Sequence, residues 1–379
     1  MIKRKIRYDI DTDSWTIRGL KIPTKLQLQS IIDIDILEVL IHIAKRTSLP
    51  VSFGFNLGDL WAWLRYLPAI SPSPYLRMRS EWDEVDSHQK TILSDDMGVG
   101  FSSSILSRSL DLIFICPTNY VVKRHPSLAL SKSGKRGPDK SPDFVAVDML
   151  GNLHVIECKG TQSSPNVLNN QLDAGFIQKH SLLDPKGIID QRIVSGVFVP
   201  QHNSKETAIF KVADPEYQLN FSFVTKNEII DTIILGEISS SLRLLGFSKF
   251  ANTLACNNKI NSRDLKNFKT EITELESHKI NGILYKKAST LYRFDNIFAN
   301  DAPQGLRIQI GLKEEFINKL FTILENSEHL EPGEPLDIAK QIRNKIQHQT
   351  LRGNTNESGP KWTSIESPLG LFIKFELEN

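Results

Sequence analysis

Cysteine is scarce in this chain. Cys116, Cys158 and Cys256 are its three, far apart and in no metal-ligand spacing. That argues against a disulfide framework or a cysteine-rich zinc site, and a reduced, cytoplasmic compartment is expected. Long hydrophobic runs are missing too. The most apolar helix candidate, from about Ile31 to Ala44, is interrupted by Asp33, Asp35 and Glu38. It falls short of the ~20 residues a bilayer span needs, so no membrane segment is expected. The N-terminus, Met1-Ile2-Lys3-Arg4-Lys5, is basic but runs into Arg7, Asp9 and Asp11 rather than an apolar stretch, unlike a signal peptide. Excess charge of one sign is also lacking. With 46 Lys and Arg against 44 Asp and Glu the net charge is +2, so any attraction to phosphate must come from local clustering.

What is present is an ordinary globular composition, 40% apolar and 24% charged over 379 residues, enough for two or three domains with a substantial core. The opening reads as a strand near Trp15-Thr16-Ile17, then an amphipathic helix with Ile32, Ile36, Val39 and Ile43 at helical spacing. Prolines 68, 72 and 74 make Leu67 to Tyr75 a candidate boundary. A helix is predicted from about Ser94 to Leu110, then β-rich patches at Leu112–Ile115 and Tyr120–Val122. Phe144–Val147 and Leu153–Ile156 are apolar strand runs separated by Gly151-Asn152, a two-residue hairpin signal. A helix from about Leu168 to Leu182 and a strand from Val194 to Val199, stopped by Pro200, complete an α/β domain with helices covering a mixed sheet. The expected division is 1–75, an N-terminal region; 76–220, the central domain; and 221–379, a mixed, mainly helical region with a loop-like stretch from Asn257 to Asn267.

The chemistry gathers on that hairpin. Glu157 and Lys159 end its second strand and, two residues apart, project to one side. Asp143 begins its first strand directly after Pro142, so hairpin closure brings it beside the other two across 14 residues of sequence. Two carboxylates and an ammonium suit phosphodiester hydrolysis. Hard oxygen ligands hold Mg²⁺ or Mn²⁺, which polarises phosphate and acidifies a bound water, and a lysine positions that water or offsets developing charge.

Ser141-Pro142-Asp143-Phe144 followed by Ile156-Glu157-Cys158-Lys159-Gly160 resembles the PD-(D/E)xK signature of the restriction-endonuclease-like superfamily. The element order from about Asp95 to Pro200 resembles that superfamily's αβββαβ core. The resemblance implies Asp143, Glu157 and the Cys158 backbone carbonyl as metal ligands and Lys159 as the catalytic lysine. It implies an accessory acid on the preceding helix, with Asp95 and Asp96 as candidates and Glu84 behind them. Gln171 and Gln178, on one face of the next helix, are candidates to reach the site; Gly175 stands where relatives often carry tyrosine. The implied activity is metal-dependent cleavage of nucleic acid, DNA rather than RNA, as an endonuclease of a bacterial defence, restriction or mobile-element system. A homodimer or a partner subunit is implied for duplex cutting. Two alternatives stay open: a nuclease subunit silent without its partner or signal, and a non-catalytic nucleic-acid-binding module.

The motif is set apart from its decoys by context. Asp184-Pro185-Lys186, Asp264-Leu265-Lys266 and Pro138-Asp139 do not sit on apolar strands. Lys123, Arg124, Lys132, Lys135, Arg136 and Lys140, opposed by Asp139 alone, form a basic stretch leading into Pro142-Asp143 and suited to phosphate contact. A merely solvated loop is the rival reading of that stretch. His154, on the opposite strand face, is expected to be a core histidine, and Trp61 and Trp63 to be core rather than base-stacking residues.

Overall fold

The computed structural model describes residues 3–12, 14, 30–47, 50–51, 66–125, 128–131, 141–217, 223–256, 260–280, 282–293, 305–326, 330–331, 333–343, 361–366 and 371–378. The chain divides into two compact units, one of Ile2–Thr47 with Trp61–Ile233, the other of Met1, Ser48–Leu60 and Ile234–Asn379.

The first unit contains β1 (Lys3–Ile10), β2 (Ile31–Asp35), α1 (Ile36–Thr47), α2 (Ser87–Ser109), β3 (Leu112–Pro117), α3 (Thr118–Val122), β4 (Ala129–Leu130), β5 (Phe144–Asp148), β6 (Leu153–Thr161), α4 (Pro165–Lys179), β7 (Leu182–Leu183), β8 (Gln191–Phe198) and β9 (Ile209–Tyr217). Seven strands form one mixed sheet in the order β2-β1-β9-β8-β6-β5-β3. All five residues of β5 are buried, as are all but the first of β8, the apolar pattern of strands covered on both faces. Helix α2 covers one face, where the Ser195 hydroxyl of β8 donates to that of Ser102 at 2.8 Å. Helix α4 covers the other, packing Leu168 and Leu172 against Val194 and Phe198. Asp86 starts α2 by accepting the His88 N–H (2.7 Å), and Ser164 starts α4 by accepting the Val167 N–H (3.2 Å) with Pro165 following it. The predicted succession of helix, three antiparallel strands, helix and a strand parallel to the last is thus present as α2, β3, β5, β6, α4 and β8.

Several local expectations are corrected. Tyr120–Val122 is not a strand but the end of α3; a three-residue apolar run has no period to separate helix from strand. Ile32 lies on β2, and the helix begins at Ile36 after the Asp35 carboxylate accepts the Leu37 N–H at 3.0 Å. The hairpin loop has three residues rather than two: the Gly151 N–H closes on the Asp148 carbonyl (3.2 Å), Gly151 sits at φ 81°, and Asn152 pairs back to Asp148. Within 1–75, expected as a separate region, β1, β2 and α1 belong to this same unit. Trp15–Ile17, Trp61, Trp63 and residues 132–140 lie outside the described residues.

Helix α5 (Phe223–Leu244) leads into the second unit, which holds α6 (Ser248–Ala255), α7 (Ser262–Glu274), β10 (Glu276–Ile280), β11 (Ile283–Arg293), β12 (Gly305–Lys313), α8 (Glu314–Asn326), α9 (Glu334–Arg343), β13 (Lys361–Glu366) and β14 (Leu371–Glu378). Its strands form a five-stranded antiparallel sheet, β10-β11-β12-β14-β13, which the mainly helical reading did not anticipate. Phe250 and Phe268 stack at 3.8 Å between α6 and α7. The stretch read as a loop contains the start of α7, capped where Asn261 accepts the Asp264 N–H at 2.7 Å. Among the described residues no helix is long and apolar enough to cross a membrane.

Candidate active site

Strand β6 alternates its side chains, so Glu157 and Lys159 face α4 while Cys158 faces α2. Phe144 pairs with Ile156, which sets Asp143, one residue earlier, opposite Glu157. Asp143 is fastened at both ends: its carbonyl accepts the Thr118 N–H at 3.0 Å and its Oδ2 accepts the Cys158 N–H at 2.7 Å. Lys159 Nζ donates to Glu157 Oε1 (2.5 Å) and to Gln178 Oε1 (3.2 Å). Gln178 Nε2 in turn donates to the Ser141 carbonyl at 2.7 Å, so this α4 residue ties the lysine to the segment that leads into Asp143. Glu157 is 0% exposed, whereas the Lys159 side chain keeps 21% of its surface in solvent. The ammonium is the part of the pair that looks outward.

Gly175 explains how α4 can lie this close. A Cβ there would sit 2.7 Å from Val194 Cγ1, 3.3 Å from Glu157 Cγ and 3.5 Å from Lys159 Cε. Any larger residue at this position would first have to displace Val194 and would press on Glu157.

The electrostatics describe a site short of positive charge. Burial, reinforced by the neighbouring Asp143 carboxylate, pushes Glu157 up to about 8 even though Lys159 pulls the other way. Burial also raises Asp143, against the Cys158 N–H and the Lys159 charge. Glu157 Oε2 is buried with no hydrogen-bond partner. Two carboxylates that hold their protons above the usual range, one with an orphaned oxygen, match a divalent cation in chemistry: hard, anionic and under-neutralised. Among the described residues no group of three His, Cys, Asp or Glu side chains converges as a metal cage. Burial raises the Cys158 thiol well above its ordinary value.

No protein-family model, curated protein or solved structure matches the chain.

The two candidate accessory acids separate cleanly. Asp95 is coupled to the site: burial raises its carboxyl, the Lys159 charge opposes that, and its own charge acts on Asp143. Asp96 instead accepts a hydrogen bond from the Tyr66 hydroxyl. Glu84 is exposed in a short 3₁₀ turn. Of the two glutamines, Gln178 reaches the site. Gln171 does not share its contacts, and its Oε1 is buried without a hydrogen-bond partner. Of the basic stretch, Lys123 is exposed and Arg124 lies 3.9 Å over the Tyr120 ring, while Lys132, Lys135, Arg136 and Lys140 fall outside the described residues.

His154 is buried as expected, with Nε2 at 3.2 Å from Asp148 Oδ2. The decoys have structural duties: Asp184 accepts the Ile189 N–H at 2.8 Å, and Asp264 pairs with Lys249 at 2.7 Å. Sequence reasoning did not single out Gln162. It is buried and fully engaged, donating to the Lys90 carbonyl (2.9 Å) and Ser94 Oγ (3.0 Å) while accepting from Trp82 Nε1 (2.9 Å) and Gln201 Nε2 (2.8 Å). It pins the end of β6 to α2; nothing in a lone glutamine announces this.

Proposed function

We propose that the protein is a metal-dependent phosphodiesterase of the PD-(D/E)xK kind, cutting the backbone of nucleic acid, with DNA favoured over RNA. The observation that carries this reading is the pair of carboxylates, Asp143 and Glu157, held above the normal carboxylate range with Lys159 hydrogen-bonded beside them. The succession α2, β3, β5, β6, α4, β8 supports it, because it supplies the αβββαβ arrangement on which that signature is expected.

Asp143 and Glu157 would hold Mg²⁺ or Mn²⁺, with the Cys158 carbonyl as a further oxygen donor. The bound ion supplies charge neutralisation at phosphate and an acidified water. The chain's own residues do the rest. Lys159, hydrogen-bonded to Glu157 and oriented by Gln178, offers its ammonium to the attacking water or to a non-bridging phosphate oxygen, where charge grows in the transition state. Water adds to phosphorus, the bond to the leaving oxygen breaks, and that oxygen takes a proton, leaving a phosphate monoester and a hydroxyl. Asp95, exposed on α2 and coupled by charge to Lys159 and Asp143, could accept a proton.

The test is cleavage of plasmid and single-stranded DNA and of RNA with Mg²⁺ or Mn²⁺, comparing wild type with Lys159→Ala and Asp143→Ala, with EDTA as control. Wild type should cut. Lys159→Ala should lose about 10²–10³-fold in rate, the scale of removing one transition-state donor. Intact substrates under all these conditions would sink the reading for the free chain.

A further inference from the structure

Away from Lys159, the same face of the sheet is left partly uncovered. Directly paired residues on adjacent strands share a face. The pairing runs Thr161 to Phe198 to Ile209 to Arg7, across β6, β8, β9 and β1. Arg7 therefore emerges on the side that carries Thr161 and, one pleat back, Lys159. Over β8 that side is buried under α4, but on β1 Lys5 and Arg7 are exposed while Ile6 and Tyr8, which alternate with them, are buried.

Tyr75 extends this surface. It bridges Lys5 in parallel, fixed by the Lys5 N–H to the Pro74 carbonyl (2.8 Å) and the Leu76 N–H to the Lys5 carbonyl (3.0 Å). Its side chain is nonetheless 47% exposed, and Ile31, paired with Arg7 on β2, is 48% exposed. Arg77 is held nearby by a 3.0 Å bond from Nη1 to the His202 carbonyl. Arg7, Ile31, Tyr75 and Arg77, with Ser30 and Thr207, line one cavity of about 450 Å³. The cavity itself is lined by two cations, Arg7 and Arg77, and no acid, with Lys5 opposite Asp33 beside it; farther along β1, Lys211 is set among Asp9, Asp11 and Asp173, and Asp9 lies 3.8 Å from Arg7 and 3.5 Å from Lys211. A loose exposed pair such as Arg7 with Asp9 holds little energy, so the guanidinium is free to turn toward phosphate.

We propose that this face binds a single strand of nucleic acid, one base stacking on Tyr75 while Arg7 and Arg77 meet the flanking phosphates. The proposal rests on the nuclease reading, because it gives the substrate of the Glu157/Lys159 site a second hold, three strand spacings or ~14 Å across the sheet. A single strand fits rather than a duplex. An exposed ring in a pocket of nucleotide size needs an unpaired base, and sequence-tolerant single-strand binding combines such rings with cations.

The experiment is fluorescence anisotropy of the full chain in EDTA, with labelled oligothymidylate, oligouridylate and a DNA duplex as probes. Tyr75→Ala should weaken oligothymidylate binding about tenfold, the scale of losing one stacked base, while Tyr75→Phe retains it. Arg7→Gln with Arg77→Gln should weaken binding and flatten its salt dependence, with duplex binding affected less. Oligouridylate tells RNA from DNA. A melting temperature unchanged in Tyr75→Ala keeps misfolding out of the result. Equal affinity of wild type and Tyr75→Ala, or no single-strand binding by wild type, overturns the proposal. Normal cleavage with Tyr75-independent binding would remove this face and leave the catalytic reading standing. Tyr75-dependent binding without any cleavage would do the reverse.

Discussion

Gly160 of β6 and Gly98 of α2 meet with no room between them: a Cβ on Gly160 would lie 1.8 Å from the Ser94 carbonyl oxygen, and one on Gly98 would lie 2.7 Å from the carbonyl carbon of Lys159. The obstacles are backbone atoms, which cannot rotate aside. This contact sets the height of Lys159 relative to Asp95, since each neighbours one of the touching groups. Gly160→Ala should therefore cost on the order of 3 kcal/mol or more, above the usual overpacking range, with Gly98→Ala somewhat milder. Urea unfolding monitored by fluorescence measures both. A cost under about 0.5 kcal/mol for Gly160→Ala would mean that helix and strand are not locked at this point.

The proton held by Glu157 makes a pH prediction for metal-free protein. Its folded value of about 8 lies above its ordinary 4.5, so between those pH values the folded state holds a proton that the unfolded state releases. The stabilising contribution is complete below the ordinary value and is lost as pH rises through 8. Asp143 is raised too and adds in the same direction. In EDTA, wild type should lose a few kcal/mol relative to Glu157→Gln between about pH 5 and pH 8, because the amide has no proton to lose. Divalent metal at the alkaline end should raise the melting temperature of wild type and leave Asp143→Asn where it was. Parallel stability curves for wild type and Glu157→Gln would remove the strained acid from the account.

Much of this site was legible because its signals are local. Pro142-Asp143 opens an apolar strand and Glu157-Cys158-Lys159 closes one, so strand alternation and one turn suffice to bring the acids together. The loop itself was not legible, and it matters: a two-residue Gly151-Asn152 turn would pair 150 with 153 and set Asp143 opposite Gly160, whereas the observed register sets it opposite Glu157. Long-range partners were not legible in this way. Nothing in the local sequence assigns β1 to the sheet, because its pairing with β9 joins Arg7 to Ile209 across most of the unit. The choice between Asp95 and Asp96 depends on Tyr66, a residue with no motif of its own. The polar alternation of β10, with Glu276, Ser277 and Lys279 around a half-buried His278, lacks the apolar period by which strands are recognised.

Gln178 gives a prediction about precision rather than folding. It accepts from Lys159 and donates to the Ser141 carbonyl, and removing it leaves the lysine with Glu157 alone. Gln178→Ala should slow single-turnover cleavage about tenfold, the worth of one charge-assisted hydrogen bond, with little change in substrate affinity. Gln178→Glu keeps an acceptor for Lys159 but adds a third carboxylate to a site already crowded with negative charge. Its metal-free stability should fall more steeply with pH than that of wild type. A rate unchanged by Gln178→Ala would assign the glutamine to helix packing.

Asp95 and Asp96, adjacent on α2, should separate activity from stability. Asp95 acts on Lys159 and Asp143 through space, so Asp95→Asn should reduce cleavage, most at limiting metal, and change stability by no more than about 0.5 kcal/mol. Asp96 is the acceptor for the Tyr66 hydroxyl, whose residue is 1% exposed. Asp96→Ala strips a buried donor of that partner and should cost about 1–3 kcal/mol while leaving the rate at saturating metal intact. Measuring both variants in cleavage and in urea unfolding decides the matter. The opposite pattern, with Asp96 needed for cleavage and Asp95 for folding, would transfer the accessory role to Asp96 and require α2 to turn by about 100° from the orientation that Gly98 and Gly160 impose.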